Sequence, residues 1–103
     1  MKKHDSKFSL GSLFICSKCG KDFSEPENAE NLKSSLRSEL KNDNEAHKKI
    51  RVMVSGCLGV CEKGEQAFGY YPNQGKIELY TTESNKFEKS KSEILDFIKL
   101  KIN

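Results

Sequence analysis

The chain has 103 residues, of which 35% are hydrophobic and 32% charged, and its formal net charge at pH 7 is +3. This length supports one domain with a single small core, and its positive charges form small clusters rather than the dense stripe of a nucleic-acid-binding protein. We therefore expect no nucleic acid as a partner. No apolar run approaches the roughly 18 residues of a membrane span, and no convincing signal peptide is present, so we expect no membrane as a partner either.

The first half of the chain predicts a strand followed by a helix. Residues 1–11 are a polar stretch that we expect to be a flexible lead-in to a single domain over residues 12–103. The short apolar run SLFIC, from Ser12 to Cys16, is typical of a buried strand. The stretch SEPENAENLKSSLRSELKNDN predicts a helix, since Ser24 suits the N-cap and Pro26 the first turn. Leu32, Leu36 and Leu40 repeat every four residues and, with Ala29 beside them, form one apolar stripe.

The second half predicts three strands and a closing helix. In KKIRVMVSGC, Ile50, Val52 and Val54 alternate with other residues, which is typical of a strand. The segments AFGYYP and GKIELYTT predict a hairpin around the turn at 73–75. The last segment, SNKFEKSKSEILDFIKLKIN, predicts a helix with one apolar side: Phe87, Ile94, Leu95, Ile98 and Ile102.

The predicted element order is therefore β-α-β-β-β-α, an α/β fold with a mixed four-stranded sheet and two helices. This is the connectivity of a minimal thioredoxin-like fold. The first two strands, joined through a helix, should be parallel and right-handed. The carboxyl ends of parallel strands lie at the same edge of a sheet, and a pair of cysteines follows each of these ends. The sequence thus predicts that Cys16 and Cys19 approach Cys57 and Cys61.

Four thiolates that converge in this way can bind one tetrahedral zinc or a 2Fe-2S cluster. Without a signal peptide the cytoplasm is the expected compartment, where structural disulfides are rare, so the two pairs favour metal or redox chemistry. The nearby glycines would permit tight loop turns with positive φ: Gly20, Gly56, Gly59 and Gly64. The C-x2-C and C-x3-C spacing alone does not choose between iron and zinc.

Two other uses of the first cysteine pair are less consistent with the sequence. FICSKCGKDFS resembles the first half of a Cys2His2 zinc finger, but the following window holds no histidine, and His4 and His47 lie far apart. A thioredoxin-type dithiol is the other alternative. It does not explain the second pair, and no proline precedes the hairpin strand in CEKGEQAFGYY. It also places the dithiol at a helix N-terminus, whereas the predicted helix begins several residues after Cys19.

The segment SGCLGVCEKG, followed by a strand ending in YYP and another ending in IELY, resembles the thioredoxin-like 2Fe-2S ferredoxin family over roughly residues 13–100. The resemblance implies that Cys57 and Cys61 are cluster ligands and that Cys16 and Cys19 supply the other two. This chain spaces its first two cysteines more closely than the family usually does. It also has Glu65 where the family commonly has proline. The first departure leaves a zinc site as the alternative.

The resemblance implies a one-electron carrier that works with a reductase or oxidase, and a homodimer is compatible with it. The sequence offers no carboxylate pair, nucleophile–base pair or phosphate-binding loop, so we expect no enzyme. Three lysines flank the cysteines, namely Lys18, Lys21 and Lys63, and we expect their charge to stabilise a reduced cluster. The alternative function is a zinc-stabilised binding module.

Overall fold

The computed structural model describes residues 1–17, 28–43, 45–56, 58–60, 64–84 and 86–103. The described elements confirm the predicted order. They are β1 (Gly11–Cys16), α1 (Asn28–Lys41), β2 (Ile50–Ser55), β3 (Ala67–Pro72), β4 (Glu78–Thr81) and α2 (Phe87–Ile102). A short 3-10 helix over Ala46–Lys48, which the sequence did not predict, leads into β2.

The four strands form one mixed sheet in the order β2-β1-β3-β4. β1 is parallel to β2 and antiparallel to β3, and β3 is antiparallel to β4. The fold is therefore α/β, with the parallel pair of β2 and β1 on one side of the sheet and the β3–β4 hairpin on the other, as the sequence predicts. β3 has the predicted bounds, whereas β4 begins only at Glu78, later than predicted, and Ile77 is exposed.

Both helices bury their apolar sides in a single core. The predicted stripe of α1 is buried throughout, and on α2 Ile94 and Ile98 are fully buried. These side chains belong to one cluster with Leu13 and Ile15 of β1. Complete burial of an aliphatic side chain contributes about 1.5–3 kcal/mol, so this cluster holds the helices on the sheet. The predicted cap at Ser24 and Pro26 lies outside the described residues.

The N-terminal segment is attached to the sheet just before β1. The backbone amides of Ser9 and Leu10 donate to the carbonyls of Lys48 and Lys49, and Asn73 donates to the carbonyl of Leu10. β1 therefore begins at Gly11, one residue before the predicted boundary. No helix in the described ranges is long and apolar enough to cross a membrane.

Candidate functional site

The parallel register of β1 and β2 defines the edge at which the candidate site begins. Cys16, the last residue of β1, is the register partner of Ser55, the last residue of β2. The pairing continues one residue further, because the amide of Ser17 donates to the carbonyl of Ser55 at 3.0 Å. The hydroxyl of Ser17 donates to the same carbonyl at 2.7 Å. The first cysteine loop thus leaves the sheet beside the strand that leads to Cys57, two residues after Ser55.

Cys16 is completely buried at this edge, with no exposed surface. Its carbonyl oxygen accepts a hydrogen bond of 2.9 Å from the side-chain amide of Gln66, which lies fifty residues later in the chain. Gln66 immediately precedes β3, and β3 runs antiparallel to β1, so this residue lies at the same end of the sheet. The backbone of Cys16 is therefore fixed both by β2 and by the entry to β3.

Gln66 is itself fully buried and held through its backbone and its side chain. Nε2 donates to the carbonyls of Cys16 and Ala67, each at 2.9 Å. Its backbone amide donates to Oγ1 of Thr82 at 3.1 Å, and its carbonyl accepts from the amide of Thr82. Oε1 has no hydrogen-bond partner within the described part of the chain. A buried carboxamide oxygen normally accepts at least one bond, so this atom is an available acceptor.

Of the three predicted glycines that follow β2, two have the positive φ that the sequence predicts. Gly59 and Gly64 have φ values of 82° and 80°, a region that side-chain-bearing residues rarely adopt. Gly56 lies outside that region, and Gly20 lies outside the described residues. The conformations of Gly59 and Gly64 therefore depend on the backbone freedom of glycine.

Only one of the four predicted ligands, Cys16, lies in the described part of the chain. Cys19, Cys57 and Cys61 lie outside it, as do the flanking lysines at 18, 21 and 63. Among the described residues no group of three or more His, Cys, Asp or Glu side chains could hold a metal ion. His4 and His47 are both exposed, as expected for solvated residues.

A separate group of titratable side chains joins β4 to α2. The carboxylate of Glu78 pairs with Lys101 at 3.1 Å and accepts a 2.5 Å hydrogen bond from the Tyr80 hydroxyl. These two hydrogen bonds, that of Tyr80 first, lower the pKa of Glu78, and the bond to Glu78 raises the pKa of Tyr80. Burial raises the pKa of Tyr70, whose ring lies 5.2 Å from the Lys101 ammonium. Through the pair of Glu78 with Lys101, this group links β4 to α2.

Two residues of these two groups, Gln66 and Phe97, belong to no motif or apolar pattern that would have predicted their contacts. Gln66 stands in a polar loop sequence, and it is held by residues distant in the sequence, Cys16 and Thr82. Phe97 lies outside the apolar side that the sequence predicts for α2. Its ring nevertheless contacts those of Phe68, Tyr70 and Tyr80 at centroid distances of 5.4, 5.7 and 5.1 Å.

Comparison of the chain with models of known protein families, with curated proteins and with solved structures gives no match. The function is therefore inferred from the chain's own residues and from the geometry of the edge at Cys16.

Proposed function

We propose that this protein is a one-electron carrier of the thioredoxin-like ferredoxin type. In this proposal Cys16, Cys19, Cys57 and Cys61 bind a 2Fe-2S cluster, and the protein exchanges electrons with a reductase or oxidase in the cytoplasm. The observation that carries the proposal is the register of the parallel pair, in which Cys16 is the partner of Ser55. Cys57 follows Ser55 by two residues, so both cysteine pairs belong to loops that start at one edge.

The described residues fit a thiolate site as far as they extend. A cluster ligand must be held rigidly, and the backbone of Cys16 is fixed by Gln66 and by the strand pairing of Ser17. Burial of Cys16 limits access of water to its sulfur, which influences the potential of an iron–sulfur site. A bound 2Fe-2S cluster would supply reversible one-electron transfer. The chain's own residues would orient the thiolates and exclude water.

The proposal is tested on the full chain purified without oxygen. Broad visible absorption that bleaches with dithionite, together with about two iron and about two sulfide per chain, would support the carrier function. Iron-free protein with about one zinc per chain would instead identify the zinc-stabilised module. If the protein takes up neither metal after iron–sulfide reconstitution, both metal-site hypotheses are rejected. A thioredoxin-type dithiol is then the remaining hypothesis.

Single serine substitutions identify the ligands. Cys16→Ser, Cys19→Ser, Cys57→Ser and Cys61→Ser should each remove or alter the visible spectrum, because a hydroxyl is a much poorer ligand for iron than a thiolate. Ser17→Ala is the matched control at the same edge. It deletes the 2.7 Å side-chain bond to Ser55 and leaves the backbone bond between these residues in place. Retention of the full spectrum in Cys19→Ser would show that the fourth ligand is a different residue.

A further inference from the structure

An open cavity of about 320 Å³ lies beside β2, where the amino end of this strand approaches the carboxyl end of α1. Small-molecule sites in proteins begin at about 300 Å³, so the volume suits a small ligand. Its apolar wall is formed by Phe8, which is half-buried, and behind it by Leu40, Ile50 and Val52, which are only 1–2% exposed. The last three are buried members of the core, so the fold itself fixes this wall.

The rest of the cavity lining carries positive or titratable nitrogen groups. Arg37, Lys41, His47 and Arg51 line it, and all four side chains are exposed. No carboxylate occurs among the described lining residues. Within the described ranges, neither arginine nor Lys41 forms an ion pair with a carboxylate; the pairs found there join other lysines to glutamates. The cavity thus combines an apolar wall with uncompensated positive charge.

The two arginines converge on a single uncharged atom. Nη2 of Arg37 and Nε of Arg51 each donate to the sulfur of Met53 at 3.1 Å. A thioether sulfur is a weak acceptor without charge, so it does little to offset the repulsion between two neighbouring guanidinium groups. Nε of Arg37 is held in addition by the carbonyl of Val52 at 2.9 Å, which anchors this side chain against the edge of β2.

Guanidinium groups bind the planar or tetrahedral oxygens of carboxylates and phosphates through paired hydrogen bonds. We propose that this cavity binds a small organic oxyanion, a carboxylate or phosphate carried on an apolar body. The oxyanion lies between Arg37 and Arg51, and the apolar body packs on the wall formed by Phe8 and its neighbours. The cavity lies at the amino end of β2, away from Cys16, so this site does not depend on the electron-carrier function.

The test uses the full-length chain, titrated with defined probes and followed by the shifts of its backbone amide NMR signals. Benzoate and phenyl phosphate combine an oxyanion with an apolar ring, whereas acetate and inorganic phosphate provide the charge without it. We expect saturable shifts that cluster at residues of the cavity. The better ring compound should bind at least about tenfold more tightly than its ring-free counterpart. Which ring compound binds better distinguishes a carboxylate ligand from a phosphate ligand.

Two arginine variants and one charge-matched control locate the interaction. Arg51→Gln should weaken binding of the better probe by about tenfold or more, since it removes a charged hydrogen-bond donor. Arg37→Lys keeps the charge but loses the paired donors, and it should weaken binding as well. Lys99→Gln removes one charge from the exposed side of α2 and should change affinity less than about twofold.

Three results would overturn this proposal. The first is the absence of saturable shifts with both ring compounds up to about 10 mM. The second is equal affinity for the ring compounds and their ring-free counterparts, which would remove the role of the apolar wall. The third is an equal loss of affinity in Lys99→Gln and Arg51→Gln, which would indicate attraction by net charge alone.

Discussion

At the carboxyl end of the β1–β2 pair the notable side chains are buried and held by hydrogen bonds, whereas at the amino end they are exposed and cationic. Cys16 and Gln66 have no exposed surface, while Arg37, Lys41 and Arg51 face solvent. A buried, fixed edge can hold a group permanently. An exposed cationic edge can exchange an anion with the solution. The two ends of one short parallel pair therefore differ in burial and charge, as the two proposed sites require.

The largest effect should come from Gly11, at the amino end, where a side chain would meet the backbone of β3. A Cβ placed on Gly11 would lie 2.8 Å from the Cα of Pro72 and closer still to the carbonyl oxygen of Tyr71. Neither backbone atom can move without breaking the register, so we expect Gly11→Ala to lower the free energy of unfolding by about 3 kcal/mol. Urea unfolding followed by circular dichroism measures this change.

Gly56→Ala is the control for Gly11→Ala. No atom lies within 4 Å of a Cβ built on Gly56, and its φ is outside the left-handed region. We expect its stability to stay within about 0.5 kcal/mol of the wild type. Equal stability of Gly11→Ala and wild type would show that β3 is not held against β1 as tightly as the register implies.

The second largest effect should come from Gln66, at the carboxyl end. Gln66→Leu removes the donor to the carbonyls of Cys16 and Ala67 and leaves buried acceptors without that bond. We expect a loss of about 2–3 kcal/mol in the free energy of unfolding. The backbone of Cys16 should also become less fixed. Alkylation of Cys16 by iodoacetamide in the reduced, metal-free protein, mapped by mass spectrometry, should be faster than in the wild type.

Ser90→Ala distinguishes this local effect from general destabilisation. Ser90, on α2, is also fully buried, and its hydroxyl donates to the carbonyl of Ser84 at 2.7 Å. Loss of this hydrogen bond should lower the free energy of unfolding by about 1 kcal/mol. Alkylation of Cys16 should become no faster than this loss of stability alone would cause. If both variants accelerate alkylation in proportion to their loss of stability, Gln66 does not position Cys16.

Much of this architecture could be predicted because it follows from local patterns. The alternation at Ile50, Val52 and Val54 predicted β2, and the leucine repeat predicted the buried side of α1. The rule that a strand, a helix and a strand form a parallel pair then placed the ends of β1 and β2 at one edge. The observed pairing of Cys16 with Ser55 is the consequence of these patterns.

The parts that could not be predicted depend on contacts between distant residues. Gln66 reaches Cys16 across fifty positions, and Arg37 reaches Val52 and Met53 from a different element. Neither side chain belongs to an apolar period or a ligand motif, so composition and spacing give no indication of its role. The convergence of Arg37 and Arg51 on Met53 arises only when α1 packs beside β2.

A smaller effect is expected at Gly64, which closes the loop at the carboxyl end. Its φ is 80°, but no atom lies within 4 Å of a Cβ built there. Gly64→Ala should therefore cost only the backbone strain, about 1 kcal/mol, measured by urea unfolding. Gly64→Asn should cost less, because asparagine tolerates this conformation. An unchanged stability of Gly64→Ala would mean that the loop turns without a left-handed residue.

The smallest effect concerns Glu78. Its register partner on β3 is Tyr70, whose hydroxyl donates to the carbonyl of Leu10 at the amino end. Hydrogen bonds from Tyr80 and Lys101 lower the pKa of Glu78 below its ordinary value of 4.5. The folded state thus binds this proton less readily than the unfolded state. The stabilisation is present above the unfolded pKa and is lost as the pH falls through the folded pKa.

The stability advantage of the wild type over Glu78→Gln should accordingly be greatest near pH 7 and shrink as the pH is lowered to about 3. Urea midpoints of both proteins across this range measure it, and added salt should reduce the difference because the pair is solvent-accessible. Glu88→Gln, on the exposed side of α2, is the control and should follow the pH dependence of the wild type. A difference between wild type and Glu78→Gln that does not change with pH would show that the carboxylate charge does not link β4 to α2. The contact of the Tyr80 ring with Phe97 would then hold β4 against α2 instead.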